Sequence, residues 1–203
     1  MILSVIMLTV PEREHQFNLI RNKVSKQITE CNLIHPSLGK VEIIEVNSKK
    51  FIYGGKSIGA KRQEGMDKAK GKYVIWLDDD DNISPDYIET LLRMAQSDAD
   101  VLTFNNLSKF ENYWMIVNMS LNNKEDEQAK PGFIKRRPYT ICAWKKETIK
   151  KVKWIDDNIN EDVSFISEAL KIVTSEYHVE NILHEYNRET ISLAVESLNN
   201  KQI

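Results

Sequence analysis

Residues 73–86 read YVIWLDDDDNISPD. Tyr73 to Leu77 is an unbroken apolar run, of the length that fills a strand buried on both faces. Four aspartates, Asp78 to Asp81, follow with no spacer. Ser84-Pro85-Asp86 then reads as a helix start, with a capping hydroxyl, a proline suited to the first helical position and an acid suited to the positive helix end. This order puts the carboxylates at the carboxyl end of a central strand, where open α/β sheets hold their ligands. Like charges so close together repel unless a cation or donor groups offset them, and a hard divalent cation does this most simply.

Two blander readings compete. A run of acids is most often a solvated loop, but this one abuts an apolar strand and follows a basic helix. Asp78, Asp80, Asn82 and Glu89 fall at positions 1, 3, 5 and 12 of a helix–loop–helix calcium loop, yet Ile83 stands where that loop turns on glycine.

At 203 residues the chain fits one domain, or one domain with an appendage. No apolar run approaches the ~18 residues of a membrane span. The opening ILSVIMLTV lacks a basic segment and a small-residue cleavage site, so it reads as a first strand and not a signal peptide. Cys31 and Cys142 have no metal or redox spacing, and free thiols in a reducing cytoplasm are expected. Between Lys130 and Lys153 nine basic residues face a single acid, Glu147, while the rest of the chain is acidic. Such a stretch suits an anionic partner if its residues share a face, and otherwise simply solvates a helix.

Taken in order, Ile2 to Val10 predicts a buried strand. Phe17, Ile20 and Val24 predict a helix from about Glu12 to Cys31, and Val41 to Val46 a second, parallel strand of a βαβ unit. Asn47 to Gly55 is a polar loop, ending in Tyr53-Gly54-Gly55. A helix from about Ser57 to Lys70 carries Lys61 and Arg62 and stops at Gly71. The helix from Pro85 to about Ser97 buries Ile88, Leu91, Leu92 and Ala95, and Val101 to Phe104 is a short strand. Tyr113 to Met119 permits another strand, and Asn122 to Gly132 reads as a mobile polar connection. A short helix over Lys145–Val152, a turn at Trp154–Asn158 and a helix from Glu161 to Ile172 follow, the last turning Val163, Ile166 and Leu170 inward. Ser175 to Val179 predicts a last strand, and Thr190 to about Asn199 a terminal helix.

The chemistry-bearing groups are the acids at the strand end, the Lys61-Arg62 pair one element earlier, and a second acidic pair, Glu161-Asp162, opening a later helix. Acids with a metal, together with Lys and Arg, suit a diphosphate, because the cation offsets charge that grows as a bond to phosphate breaks. A separate carboxylate can then take the proton of an attacking hydroxyl. The residues alone give metal-assisted transfer from a phosphorylated donor.

Residues 57–92, SIGAKRQEGMDKAKGKYVIWLDDDDNISPDYIETLL, resemble the central segment of family 2 glycosyltransferases of the GT-A fold. The match runs through Lys61-Arg62, the Ala69-Lys70-Gly71-Lys72-Tyr73 turn, Asp78-Asp79-Asp80, and Pro85-Asp86-Tyr87. ILSVIMLTVPERE is similar to that family's first strand and donor-base loop, and WIDDNINEDVSF (154–165) to the segment with its catalytic Glu-Asp pair. HEYNRETIS (184–192) is faintly similar to its closing Tyr-Arg-Ser stretch. Small phage and bacterial enzymes are also similar in carrying a KR-helix followed by acids.

The resemblance implies one α/β domain, with a mixed, mainly parallel Rossmann-like sheet flanked by helices. Residues 1–104 would form the nucleotide-sugar half and 105–203 the acceptor and base half. It implies Mn2+ or Mg2+ on Asp80, with Asp78 sharing the metal or meeting the donor ribose, and Asp79 beside them. Lys61 and Arg62 would face donor phosphate or sugar, and Thr9, Val10, Arg13 and Asn47 would border the base. Asp162 would deprotonate the acceptor, with Glu161 as its neighbour. The reaction would be an inverting single displacement that moves a hexosyl or pentosyl group, with UDP-sugar as the expected donor. Asn47 stands where the family usually has an aspartate that meets uracil. The acceptor would be a glycan, a small molecule or a hydroxylated base in phage DNA, with Arg136, Arg137 and Lys145, helped by Lys135 and Lys146, holding its phosphates.

Single residues have plainer roles open to them. His184 suits a metal but is more often structural, and Trp114, Trp144 and Trp154 suit a core or an acceptor platform. Two other classes stay open for the chain: a sugar nucleotidyltransferase, disfavoured because TVPERE lacks glycine, and a non-catalytic nucleic-acid-binding module built on residues 130–153.

Overall fold

The computed structural model describes residues 1–47, 56–110, 113–124 and 127–187. The first strands are β1 (Leu3–Thr9) and, after a 3-10 turn at Pro11–Arg13 and helix α1 (Glu14–Ile34), β2 (Val41–Asn47). Helix α2 (Ile58–Lys68) leads to β3 (Tyr73–Asp78), the apolar run. Alternate residues of β3 enter two different cores, as the period of two of a strand requires. Tyr73, Ile75 and Leu77 join Leu3, Val5 and Met7 beneath α1, while Val74 and Trp76 join Ile6 and Leu8 beneath α2. Both faces are covered, which is why the run shows no polar residue before Asp78.

The strand β4 (Asn82–Ile83) and helix α3 (Tyr87–Met94) come next, then β5 (Val101–Phe110), β6 (Tyr113–Met119), β7 (Glu127–Lys130) and β8 (Phe133–Arg136). The chain closes through β9 (Ala143–Lys145), α4 (Lys146–Ile149), α5 (Glu161–Ala169) and β10 (Glu176–Asn187). One sheet runs β2-β1-β3-β9-β5-β6-β8-β7, with β10 beside β5 and β4. β2, β1 and β3 are parallel, and β9 inserts antiparallel between β3 and β5. Thr9 registers with Asn47, and Leu8 with Asp78, so these three strands end along one edge.

Several expectations are corrected. Gly71 does not end α2. The helix stops at Lys68 with Ala69 extended, and Gly71 lies where a Cβ would meet the Ser4 nitrogen at 2.6 Å. Ser84 does not cap α3; its hydroxyl donates to Asp86 Oδ1, and the Ile88 N–H is taken by Gln27 Oε1 from α1 at 3.0 Å. The strand foreseen as Val101–Phe104 runs on to Phe110. The connection foreseen as mobile contains β7, paired with β8, and Lys145 ends a strand before α4 begins. In α5 the buried residues are Glu161, Phe165, Ile166 and Ala169, whereas Val163 is 56% exposed. Phe165 stacks on Trp154 at 4.2 Å, and both meet Trp76 edge-on, so Trp154 and the fully buried Trp144 are core residues while Trp114 is exposed. Cys31 and Cys142 are buried free thiols. Among the described residues no helix is long and apolar enough to cross a membrane. The Tyr53–Gly55 loop end and the terminal helix from Thr190 lie outside the described residues.

Candidate functional site

The strand β3 delivers Asp78 to a cleft of about 510 Å3, whose lining also includes Arg62, Asp81, Arg136, Tyr139, Asp162 and His184. Two of the acids come from the strand end and one from the first turn of α5, 81 or more positions later in the chain. The link between them is Arg62. Its Nη2 lies 3.4 Å from Asp78 Oδ2, its Nη1 lies 3.4 Å from Glu161 Oε1, and its guanidinium covers the Trp154 ring at 5.0 Å. The Nη1 contact is an ion pair without hydrogen-bond alignment, and among the described residues Arg62 Nε and Nη1 have no hydrogen-bond acceptor. A buried guanidinium with unused N–H groups beside a cleft is suited to an anion that enters later.

The four aspartates have different fates. Asp78 is 43% exposed and faces the cleft. Asp79 and Asp80 both accept from Arg13 Nη1, at 2.9 and 2.8 Å. Asp79 is thereby turned inward, and its carboxyl is raised by burial against the help of Arg13. Burial, and then the charge of Asp78, push Asp80 up to about 6. Asp81, for which the sequence suggested no role, accepts from His184, whose Nε2 is 3.0 Å from Asp81 Oδ2. His184 Nδ1 lies 2.8 Å from Asn106 Oδ1. Asp81 Oδ1 is buried and has no hydrogen-bond partner among the described residues. His184 reaches this place because β10 pairs with β4 at Ile83, directly after the acids. No local signal could reveal that contact, because it joins residues 103 positions apart.

Lys61 is buried, and burial lowers its pKa while Asp78 and Asp79 raise it. Thr9 and Val10 are buried at the end of β1, so of the residues expected around a base only Asn47 has an exposed side chain. Arg13 is spent on the acids.

Glu161 and Asp162 divide their work. Glu161 is buried, its carboxyl raised by burial against the charge of Arg62. Asp162 faces the cleft; its Oδ2 accepts from the Tyr139 hydroxyl and its Oδ1 from the Val163 N–H at 2.7 Å. Tyr139 carried no motif in the sequence.

The basic stretch is not one face: Arg136 and Arg137 share a groove, while Lys145 lies apart from them. Arg136 lines the cleft, with its guanidinium 4.1 Å from the Tyr139 ring centroid. Arg136 also lines, together with Arg137, a neighbouring groove of about 340 Å3 that includes Val163, Ile166 and Leu170. Lys145 registers with Tyr73, at the other end of β3 from Asp78, and pairs there with Asp98 at 2.8 Å. Lys146 Nζ donates to the Ala69 carbonyl, and Lys135 is exposed. A strand alternates its side chains between faces, so Lys135 and Arg136 on β8 cannot serve one surface.

Comparisons with known proteins agree with this architecture. TarS of S. aureus superposes with a TM-score of 0.65 at 13% identity, over 92% of this chain and 60% of that one. A structure of TarS in complex with UDP-GlcNAc superposes at 0.61, with 12% identity, over 93% and 59%. At such identity the likeness is one of fold, and that fold is GT-A, as expected. EpsH of Bacillus subtilis, whose name assigns it to the glycosyltransferases, is 32% identical over 78 residues, 38% of this chain and 23% of its own length. Cholesterol galactosyltransferase of Borreliella burgdorferi is 32% identical over 88 residues, 40% and 24% of the two lengths. The matches thus span about a quarter of the curated relatives. The model of glycosyl transferase family 2 matches residues 50–152, which include α2, the aspartates and Tyr139. That is just over half of the residues, and the chain belongs to glycosyl transferase family 2.

Proposed function

We propose that the protein transfers a sugar from a nucleoside diphosphate sugar, with a UDP-sugar as the expected donor, to an acceptor hydroxyl, inverting the anomeric centre. One observation carries this reading: Arg62 ties the strand-end acid Asp78 to the Glu161-Asp162 pair across a single cleft. Unused N–H groups of Arg62 suit the donor diphosphate. Asp162 suits the base, because it is the acid of its pair that faces the cleft. The UDP-GlcNAc complex of TarS, which shares the fold, favours uridine in the donor.

A divalent cation fits the donor set at the strand end. The carboxylates are hard oxygen ligands, and burial, followed by the charge of Asp78, raises the pKa of Asp80, both effects that a bound cation would offset. Among the described residues no three His, Cys, Asp or Glu are grouped to hold a metal. Mg2+ often takes only one or two carboxylates, with phosphates filling other positions. Asp80 and Asp78 would hold Mn2+ or Mg2+, and the ion would offset charge on the departing diphosphate.

On the acceptor side the cleft wall is apolar, made by Met115, Val117, Met119, Ile134 and Ile141. This wall favours an acceptor with a hydrocarbon face, a glycan ring or an apolar small molecule, over a DNA base held by several phosphates. Cholesterol galactosyltransferase, one of the relatives, is named for an acceptor of that kind.

Thermal unfolding with UDP-GlcNAc, UDP-glucose and UDP-galactose, each with and without Mn2+, tests the donor. One donor should stabilise the chain, and more so with Mn2+. Asp162→Asn should keep that shift and slow donor turnover about a hundredfold or more. Full turnover in Asp162→Asn, or no donor that binds, would remove the reading.

A further inference from the structure

We propose that Tyr139 is a positioning residue that fixes the carboxylate of Asp162 for proton removal from the acceptor. The inference rests on the reading of Asp162 as base. Its evidence is geometric. The Tyr139 hydroxyl donates to Asp162 Oδ2, while the Val163 N–H donates to Oδ1 at 2.7 Å. Two donors, one on each oxygen, define the rotation of a carboxylate that would otherwise turn freely about its last bond. Each oxygen keeps a second lone pair for another proton.

Tyr139 is itself held at both ends. Its carbonyl accepts from the Trp144 indole at 3.2 Å and from the Cys142 N–H at 2.9 Å, and both of those residues are fully buried. Arg136 lies over its ring face at 4.1 Å, a cation–π arrangement that keeps the ring from swinging. The residue therefore transmits the rigidity of the sheet core to the base. Its phenol stays protonated throughout, since burial and then the hydrogen bond to Asp162 both raise its pKa.

In the transfer step the acceptor O–H gives its proton to Asp162, and its oxygen forms a bond to the anomeric carbon. The bond from that carbon to the diphosphate oxygen breaks, and its electron pair leaves with the nucleoside diphosphate. Tyr139 exchanges no proton; it sets where the accepting lone pair points. Misplacing a base by a fraction of an ångström costs roughly tenfold, on the scale where 1 Å costs about a hundredfold.

A double-mutant cycle separates this role from a merely structural one. The full chain is assayed with Mn2+ and whichever of UDP-GlcNAc, UDP-glucose or UDP-galactose stabilises it most, reading UDP release with water as the acceptor. Tyr139→Phe should lower kcat about tenfold, with the donor KM within about twofold. In the Asp162→Asn background the same change should cost less than about twofold, because no base remains to be positioned. An equal loss in both backgrounds, or wild-type kcat in Tyr139→Phe, overturns the inference while leaving the transferase reading intact. Donor turnover that survives Asp162→Asn unchanged overturns both. A thermal-unfolding curve of Tyr139→Phe with bound donor checks that the variant is folded.

Discussion

Arg62 and Glu161 form a buried ion pair, with Nη1 3.4 Å from Oε1, at the point where α2 meets the first turn of α5. Each would be costly alone in that place. Removing one partner of a buried pair strands the other charge and costs about 3–5 kcal/mol. Arg62→Ala should therefore lower unfolding free energy in urea by about 3 kcal/mol, with Glu161→Gln in the same chain recovering part of the loss. A loss below about 1 kcal/mol would mean that the pair is not closed in solution.

Gly59 is the hinge pin of that same junction. A Cβ there would meet the Ile155 carbonyl oxygen at 1.8 Å, and backbone cannot retreat as a side-chain tip can. The Gly59 N–H also donates to the Asp157 carbonyl at 3.0 Å, and the Ile58 N–H to Asn158 Oδ1 at 2.9 Å. The displaced turn leads straight to Asn160, left-handed at φ 66°, and to Asp162. Gly59→Ala should cost about 2 kcal/mol of stability, within the range for overpacking. It should also reduce donor turnover more than donor affinity. Wild-type turnover in a folded Gly59→Ala would show that the turn does not set the base.

Arg13 holds Asp79 and Asp80 by one nitrogen, the position in which a cation would otherwise serve. Arg13→Ala leaves two part-buried carboxylates facing each other, and the variant should be less stable in EDTA. Mn2+ should then raise its melting temperature by more than it raises that of the wild type, and Asp80→Asn should abolish the difference. Equal Mn2+ shifts in wild type and Arg13→Ala would mean that Arg13 and the ion do not compete for Asp80.

What the sequence made legible was whatever its own periodicity decides. The β3 run has one reading because both faces are covered, and Lys61-Arg62 and the aspartates lie within 21 residues of each other. The buried face of α5 was misjudged because Val163, Ile166 and Leu170 satisfy helical spacing as well as Phe165 and Ala169 do. Packing of Phe165 against Trp76 of β3, a contact between distant elements, decides between them. β5 looked short because Asn105, Asn106 and Ser108 interrupt its apolar pattern. All three are buried and satisfied by hydrogen bonds, Asn105 to the Glu180 carbonyl and Asn106 to Ser108 and His184. β7 (EQAK) has little apolar side-chain content and is held by backbone pairing to β8, so its polarity resembles a loop. The roles of Asp81, His184 and Tyr139 depend on strand register and loop placement, which no short window of residues encodes.

Asp100 offers a pH test away from the cleft. Burial opposes its charge, but the Thr174 N–H and the Thr148, Ser175 and Thr174 hydroxyls outweigh that and hold its carboxyl at about 2. It thereby joins the start of β5 to α4 and to the turn before β10. A folded pKa below the unfolded value of 3.8 means that the unfolded chain binds the proton more readily. The contribution is fully present above about pH 4 and disappears as pH falls toward 2. From the size of the shift, discounted for partial exposure, it amounts to about 1–2 kcal/mol. Asp100→Asn should be less stable than the wild type by about that amount at pH 7. The gap in urea midpoint should hold down to pH 5 and narrow progressively below pH 4. A gap that stays constant from pH 7 to pH 3 would mean that the hydrogen-bond geometry, and not the charge, carries the stabilisation at this corner.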